Sequence, residues 1–337
     1  MGRIANSHAV SGSATAQIMA DSLVWDNHVS VTIGPERSEW LRYLQRHREA
    51  GVDVICLNAG FDDFAQANKA ALLAEFRRWF DVHSGDYQLV RSVGDIEQAR
   101  RDGKLAVCFN MEGGRCLQGQ VSMVKFYYDL GVRWMLFSYN RNNELAGGCQ
   151  DDDQGLTDFG RKVLKEMERV GMVVCCSHIG HRSAMEIMEA AVNPVIFSHS
   201  NARALCEHSR NVTDEAIRTC ARTGGVVGIT GLGNFLGVND TRTLTFVRHI
   251  DYVVNLVGPE HVGIALDCHY DDEEIFNFVK KHPQIWPPEH YPDGLAIMQP
   301  EQIPEIAELL LRLGYRERDV VNIMGGNHLR VAQRVWK

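Results

Sequence analysis

The stretch MVVCCSHIGHRSAMEIMEAAVNPVIFSHS, residues 172–200, reads as a strand, a helix and a second strand. The runs Met172–His178 and Val195–His199 are short, rich in Val, Ile, Phe and Cys, and bounded by Gly171 and Pro194. That is the pattern of strands buried on both faces. Between them Arg182–Ala191 has helical spacing. A strand–helix–strand unit implies parallel strands, and ligands bind such folds beyond the carboxyl ends of the strands. Each strand here closes on a serine and a histidine, Ser177-His178 and Ser198-His199. Matched histidines at that end suggest a metal site.

The same alternation extends in both directions. Further strands are expected at Leu23–His28, Val52–Asn58, Leu105–Met111, Trp134–Tyr139, Gly225–Ile229 and Val262–Asp267. Helical spacing marks Ser38–Glu49, Asp62–Asp81, Gln120–Leu130, Thr157–Val170, Thr213–Arg222 and Thr243–Val257, with Thr157 and Thr213 placed as capping residues. Eight strand–helix repeats predict a closed (β/α)8 TIM-type barrel, one domain over residues 1–337. Asp271–Pro304 holds six of the nine prolines, so it reads as a long loop on the ligand face, either a cap or a dimer contact. Arg318–Trp336 reads as a closing helix.

Composition removes several function classes. Thirty-five basic against forty-three acidic residues leave a formal charge of −8, which disfavours nucleic acid and anionic membranes. No apolar stretch is long enough to span a bilayer. The first residues, MGRIANSHAVSGSATAQIM, lack the apolar centre of a signal peptide. Nine cysteines, odd in number and without CxxC spacing, point to a reducing cytoplasm.

Candidate chemistry gathers at the strand ends. The first strand places Asp26, His28 and Ser30 on one face by its period of two. The third ends at Glu112, the fifth and sixth at His178 and His199, and the eighth at Asp267 and His269. Zinc accepts imidazole nitrogen and carboxylate oxygen, and a barrel mouth can collect both from distant positions. A metal-activated water beside a free carboxylate is the equipment of hydrolysis. Taken singly, each residue also has a plainer reading: a hydrogen-bonded strand-end histidine, a turn carboxylate at Glu112, a helix cap at Asp267. His8, His47, His83, His282 and His290 fall in helices or loops and read as surface residues.

The segments NMEGG (110–114), GVRWMLFSYNRNN (131–143), GLTDFGRKVLKEMERVGMVV (155–174), PVIFSHSNARAL (194–205), HSRNV (208–212), HIDYVVNLVGPEHVGIALD (249–267) and NIMGGNHLRV (322–331) resemble the membrane (renal) dipeptidase family of zinc metallopeptidases. The resemblance runs from about Asp21 to Val335. It implies an amidohydrolase-like barrel, a two-zinc centre, a homodimer, and hydrolysis of dipeptides by a metal-bound hydroxide. It also implies that His28 and the bridging Glu112 hold the first ion and that Glu112, His178 and His199 hold the second. Arg210 matches the arginine that grips the substrate carboxylate, with an ion pair to Asp214 as its structural alternative. Asp267 matches the proton-shuttling aspartate.

Two positions depart from the family pattern. Ser30 stands where the family has a ligand aspartate, and serine is a poor zinc ligand. Losing that carboxylate leaves one positive charge uncompensated in a buried site. One zinc is therefore expected, at Glu112, His178 and His199, and the ion at His28 is weakened or lost, unless His269 or Asp26 replaces the lost ligand. Tyr139 stands where the family has a histidine that polarises the scissile carbonyl; a phenol can donate to an oxyanion or simply satisfy a neighbour. The expected activity is zinc-dependent cleavage of a dipeptide or small carboxylate-bearing amide. The alternatives are a single-metal amide, ester or lactone hydrolase and a silent, ligand-binding relative.

Overall fold

The computed structural model describes residues 12–30, 40–62, 69–291 and 294–337. The start of the expected helix Ser38–Glu49, part of Asp62–Asp81, His8 and most of the segment read for a signal peptide lie outside them. Nine parallel strands run in the order β7-β6-β5-β4-β2-β1-β9-β8, with β3 beside β4. They are β1 Trp25–Val29, β2 Val54–Phe61, β3 Tyr87–Leu89, β4 Leu105–Glu112, β5 Val132–Leu136, β6 Val173–Cys175, β7 Val195–Ile196, β8 Val227–Ile229 and β9 Val262–Ile264. A parallel bridge from Phe197 to Val227 joins the ends of this order, so eight strands close into a barrel. The seam carries three backbone hydrogen bonds: Phe197 N to Val226 O (3.0 Å), Gly228 N to Phe197 O (2.8 Å) and Ser200 N to Gly228 O (2.7 Å).

Alternation along the strands explains the continuous apolar runs. One buried cluster contains Trp25, Cys56, Cys108, Trp134, Leu136 and Cys175 and continues upward to residues of the Pro-rich segment. A second contains Ile55, Leu57, Val107, Phe109, Met135 and Val174 together with the helices. Each strand is therefore apolar on both faces, as a parallel strand between a filled barrel and a helical layer must be.

The expected eight strands all form; β5, β6, β7 and β9 stop earlier than their apolar runs, β1, β2 and β4 run past theirs, and β8 ends where its run does. The short β3 was not expected. It pairs with the first half of β4 (Tyr87 to Leu105, Leu89 to Val107), whereas β5 takes the second half. Three residues are too few to show periodicity. The closing segment divides into Glu317–Val321 and Asn327–Val335 around a wider turn. The cause is close packing: a Cβ on Gly325 would lie 2.0 Å from Leu23 O. Thr157 and Thr213 cap their helices as read, accepting from Gly160 N (2.9 Å) and Ala216 N (3.3 Å).

The Pro-rich segment is not simply a loop. It contains the helix Asp272–Lys280 and short 3-10 turns at Pro288–His290 and Pro300–Gln302. A bridge between Leu232 and Ile297 ties it to the strand-end side of the barrel, where it forms a cap. All nine cysteines are free. Among the described residues, no helix is long and apolar enough to cross a membrane.

Candidate metal centre

The buried Glu112, last residue of β4, stands at the middle of the strand ends. Gly113 follows it with φ +120°, and a Cβ there would lie 2.1 Å from the Asp62 carboxylate. Glycine is thus required where the chain turns away from the glutamate. Glu112 Oε1 lies 3.2 Å from His178 Nε2, 3.2 Å from His199 Nε2 and 3.8 Å from His28 Nε2. This oxygen is buried and makes no well-formed hydrogen bond. The two imidazole nitrogens of His178 and His199 are 2.9 Å apart.

The surrounding bonds decide which nitrogen of His178 carries the lone pair. Asn140 Nδ2 donates to Ile285 O (3.4 Å), which leaves Asn140 Oδ1 to accept from His178 Nδ1 at 2.7 Å. His178 Nε2 therefore presents a lone pair to Glu112. His199 Nδ1 is 2.8 Å from Ser198 Oγ, a similar outer contact. Such second contacts orient histidine ligands in metal sites. With His199 in the tautomer whose Nδ1 donates to Ser198 Oγ, two lone pairs and a carboxylate oxygen face one point, and a cation among them relieves their repulsion. Ligand atoms about 2.0–2.1 Å from a tetrahedral zinc stand about 3.3 Å apart. The Glu112–His178–His199 triangle, with edges of 3.2, 3.2 and 2.9 Å, fits one face of that tetrahedron. His28, Glu112 and His199 likewise bring ligand atoms within 4.8 Å of one another. The donor set thus fits a divalent ion.

Burial alone would raise the Glu112 carboxyl, but His28 and His178, helped by His199, outweigh it and hold it well below the usual range. Burial lowers His178 well below its ordinary value, assisted by the Arg210 charge. Burial and the neighbouring His28 take His199 down to about 4. Burial also opposes charge on His28, yet Glu112 and Asp267 together raise it. His28 Nε2 meets Asp267 Oδ1 at 3.2 Å, and its ring stacks on His199 with centroids 4.1 Å apart. Burial would likewise raise Asp267, but His28 holds it well below its normal range.

His178 and Asp267 do not continue their strands. Each lies three residues beyond, with φ +65° and +57°. A left-handed backbone is uncommon for such residues and marks constrained sites. Asp267 N donates to His28 O (3.0 Å), so the two partners are tied by backbone as well.

Tyr139 stacks on His178 (4.0 Å) and Phe61 (4.8 Å), and its hydroxyl accepts from Trp286 Nε1 at 3.3 Å. Burial pushes its phenol well above the usual value. Arg210 is buried, donates to His199 O at 3.2 Å, and keeps an Nε without a partner among the described residues. The ion pair with Asp214 does not form. Asp214 instead accepts from Tyr252 Oη at 3.0 Å on both oxygens.

Two cavities meet at His178. One, about 760 Å³ with its open mouth, is lined by Glu112, Tyr139 and Asp267 and by cap residues including Ile275, Trp286 and Leu295. The other is lined by Arg210, Arg203, Cys149 and Asp151. Ser30 and His269 line the first.

Two expectations need correction, and one residue was missed. Asp26 does not share a face with His28 because the β1–β2 register shifts between Asp26 and Val29. It binds His47 Nε2 at 3.2 Å and Leu266 N at 2.9 Å, so it faces away from the centre. His47 is consequently fully buried, with Tyr270 Oη on its Nδ1 at 2.9 Å, and not a surface residue. Asn58 was passed over as a strand terminus, yet its Nδ2 lies 2.7 Å from Glu112 Oε2. Asparagine is common where strands end, so nothing in the sequence set it apart.

A family model described as membrane dipeptidase, peptidase family M19, matches residues 42–282. An uncharacterized Klebsiella pneumoniae protein from the pqqA 5′ region is 29% identical over 79% of this chain and 95% of its own length. Dipeptidase 3 of Rattus norvegicus is 30% identical over 74% of this chain, which spans only 48% of that relative. The crystal structure of an amidohydrolase from Pseudomonas aeruginosa superposes with a TM-score of 0.85 and 28% identity, covering 96% of this chain and 99% of that one.

Proposed function

This chain belongs to the membrane dipeptidase family, metallopeptidases of peptidase family M19, and from that premise we propose that it is a zinc-dependent hydrolase of dipeptides or similar small amides bearing a free carboxylate. The observation that carries the reading is the triangle of Glu112 Oε1 with His178 and His199 Nε2. Glu112, His178 and His199 would hold the ion, with His28 beside them. When bound, a divalent ion supplies Lewis acidity, acidifying water and polarising a carbonyl.

The remaining steps belong to the side chains. Arg210 offers two parallel N–H groups to a carboxylate, and its unpartnered Nε supports that role. Tyr139 accepts from Trp286, which leaves its own hydrogen free to donate to an oxyanion. Asp267 stays ionised against His28; its Oδ2, the oxygen not engaged with His28, takes a proton from the attacking water and returns it to the leaving amine. Nine free thiols support a cytoplasmic location, and a homodimer is part of the same family reading.

The test is to strip the protein with a chelator, add back Zn²⁺, and follow a panel of dipeptides. Activity is expected to vanish and return with the ion. Full turnover with less than about a tenth of an equivalent of metal would sink the reading. A second reading keeps the ion and changes the substrate to an ester or lactone. The apolar cap over Glu112 favours it, and turnover of several ordinary dipeptides excludes it.

A further inference from the structure

The two oxygens of Glu112 face different chemistry. Oε1 faces three imidazoles; Oε2 accepts from Asn58 Nδ2 at 2.7 Å. The orientation of that amide is fixed from outside the centre. Gly60 N donates to Asn58 Oδ1 at 2.6 Å, so the oxygen of the amide is turned away and its NH₂ is turned inward. The same NH₂ lies 3.4 Å from Ser30 Oγ. A local irregularity builds the arrangement. The β2–β4 register shifts between Asn58 and Phe61, and Gly60 takes φ +109°. Bulges of this kind re-aim side chains beside active sites.

We propose that the centre holds one divalent cation, on the Oε1 side of Glu112, and that Asn58 closes the Oε2 side to a second. The inference rests on the metal reading above. An amide nitrogen has hydrogens to give and no lone pair to offer a cation. Its N–H partly satisfies the carboxylate oxygen that a bridging glutamate would give to another ion. Ser30 adds a neutral hydroxyl where an anion would be needed. Of the other nearby carboxylates, Asp26 is committed to His47 and Leu266 N, and Asp267 turns its Oδ1 to His28. At Glu112 Oε2 a second divalent charge would therefore meet the N–H of Asn58 and the neutral hydroxyl of Ser30.

The experiment counts ions in the full chain. Protein stripped by dialysis against dipicolinate is titrated with Zn²⁺ and assayed by elemental analysis after removal of free metal. Wild type is expected to retain one equivalent. Asn58→Asp is expected to retain two, because aspartate still accepts from Gly60 N while presenting a carboxylate oxygen inward. Two equivalents in wild type overturn this inference and leave the proposed function standing; none overturns both. One equivalent in a folded Asn58→Asp protein removes Asn58 as the closing group. Should that variant not fold, Mn²⁺-loaded wild type decides by electron paramagnetic resonance. The six-line spectrum of an isolated ion is expected, and an exchange-coupled spectrum overturns the proposal.

Discussion

The two cavities that meet at His178 differ in the side chains that distinguish their walls. The one above Glu112 is walled by Phe61, Tyr139, Trp286, Tyr291 and the aliphatic cap residues. The one behind His178 is walled by Arg203, Arg210, Asp151 and backbone turns. An apolar chamber favours burial of a hydrocarbon group, and a buried guanidinium favours a carboxylate. Under the proposed function the difference orients the substrate. Its acyl side would lie under the cap, its carboxylate toward Arg210, and the bond to be cut between them at Glu112 and His178.

The boundary itself carries the largest expected effect. Asp267→Asn is expected to lower kcat by about 10²–10⁴-fold for every substrate, with metal content unchanged. An unchanged kcat would remove Asp267 as proton carrier. Tyr139→Phe comes next, at about 10²–10³-fold in kcat if its hydroxyl donates to the oxyanion. Burial, with the charge of Glu112 added, keeps the phenol neutral well above its usual value. Its proton is thus retained up to at least about pH 10, the ordinary tyrosine value. The pH profile of kcat/KM should show no alkaline limb from Tyr139 and keep its shape in the Phe variant. A limb present in wild type and missing in that variant would contradict this.

Arg210→Met probes the polar side alone. Hydrogen bonds to charged groups are worth about 1.5–3 kcal/mol, so kcat/KM should fall by about 10–100-fold for substrates with a free carboxylate. The corresponding amides should be nearly unaffected, and equal losses for acid and amide would erase the distinction between the cavities. Trp286→Ala probes the apolar side and has the smallest effect, about 10-fold in kcat/KM, confined to substrates with a bulky acyl group. Equal losses across small and bulky groups would mean that Trp286 acts by holding Tyr139 through its Nε1 bond.

The barrel was legible because each strand is short, apolar on both faces and followed by an amphipathic helix. Strand ends were less so. Ser177 and His178 continue the run MVVCC in composition, yet the backbone leaves the sheet at Cys175 and becomes left-handed at His178. Composition does not encode that φ. The shared face of Asp26 and His28 failed for a related reason. A period-of-two argument assumes an unbroken ladder, and one register shift sends Asp26 to His47. The histidines and Glu112 could be singled out because several such groups end strands together, although each alone has a plainer reading. Asn58 could not, since asparagine commonly ends strands and its importance lies in a bulge that only the fold reveals.

The cap has a consequence for how such a protein can change over generations. The candidate centre would draw its donors from Glu112, His28, His178 and His199, at or near the ends of four strands, so no single insertion could rebuild it. The apolar chamber draws Ile275, Val279, Trp286, Tyr291, Leu295 and Ile297 from one contiguous segment. Drift, deletion or recombination within that segment alone can alter what enters the barrel while the groups that act on it stay in place.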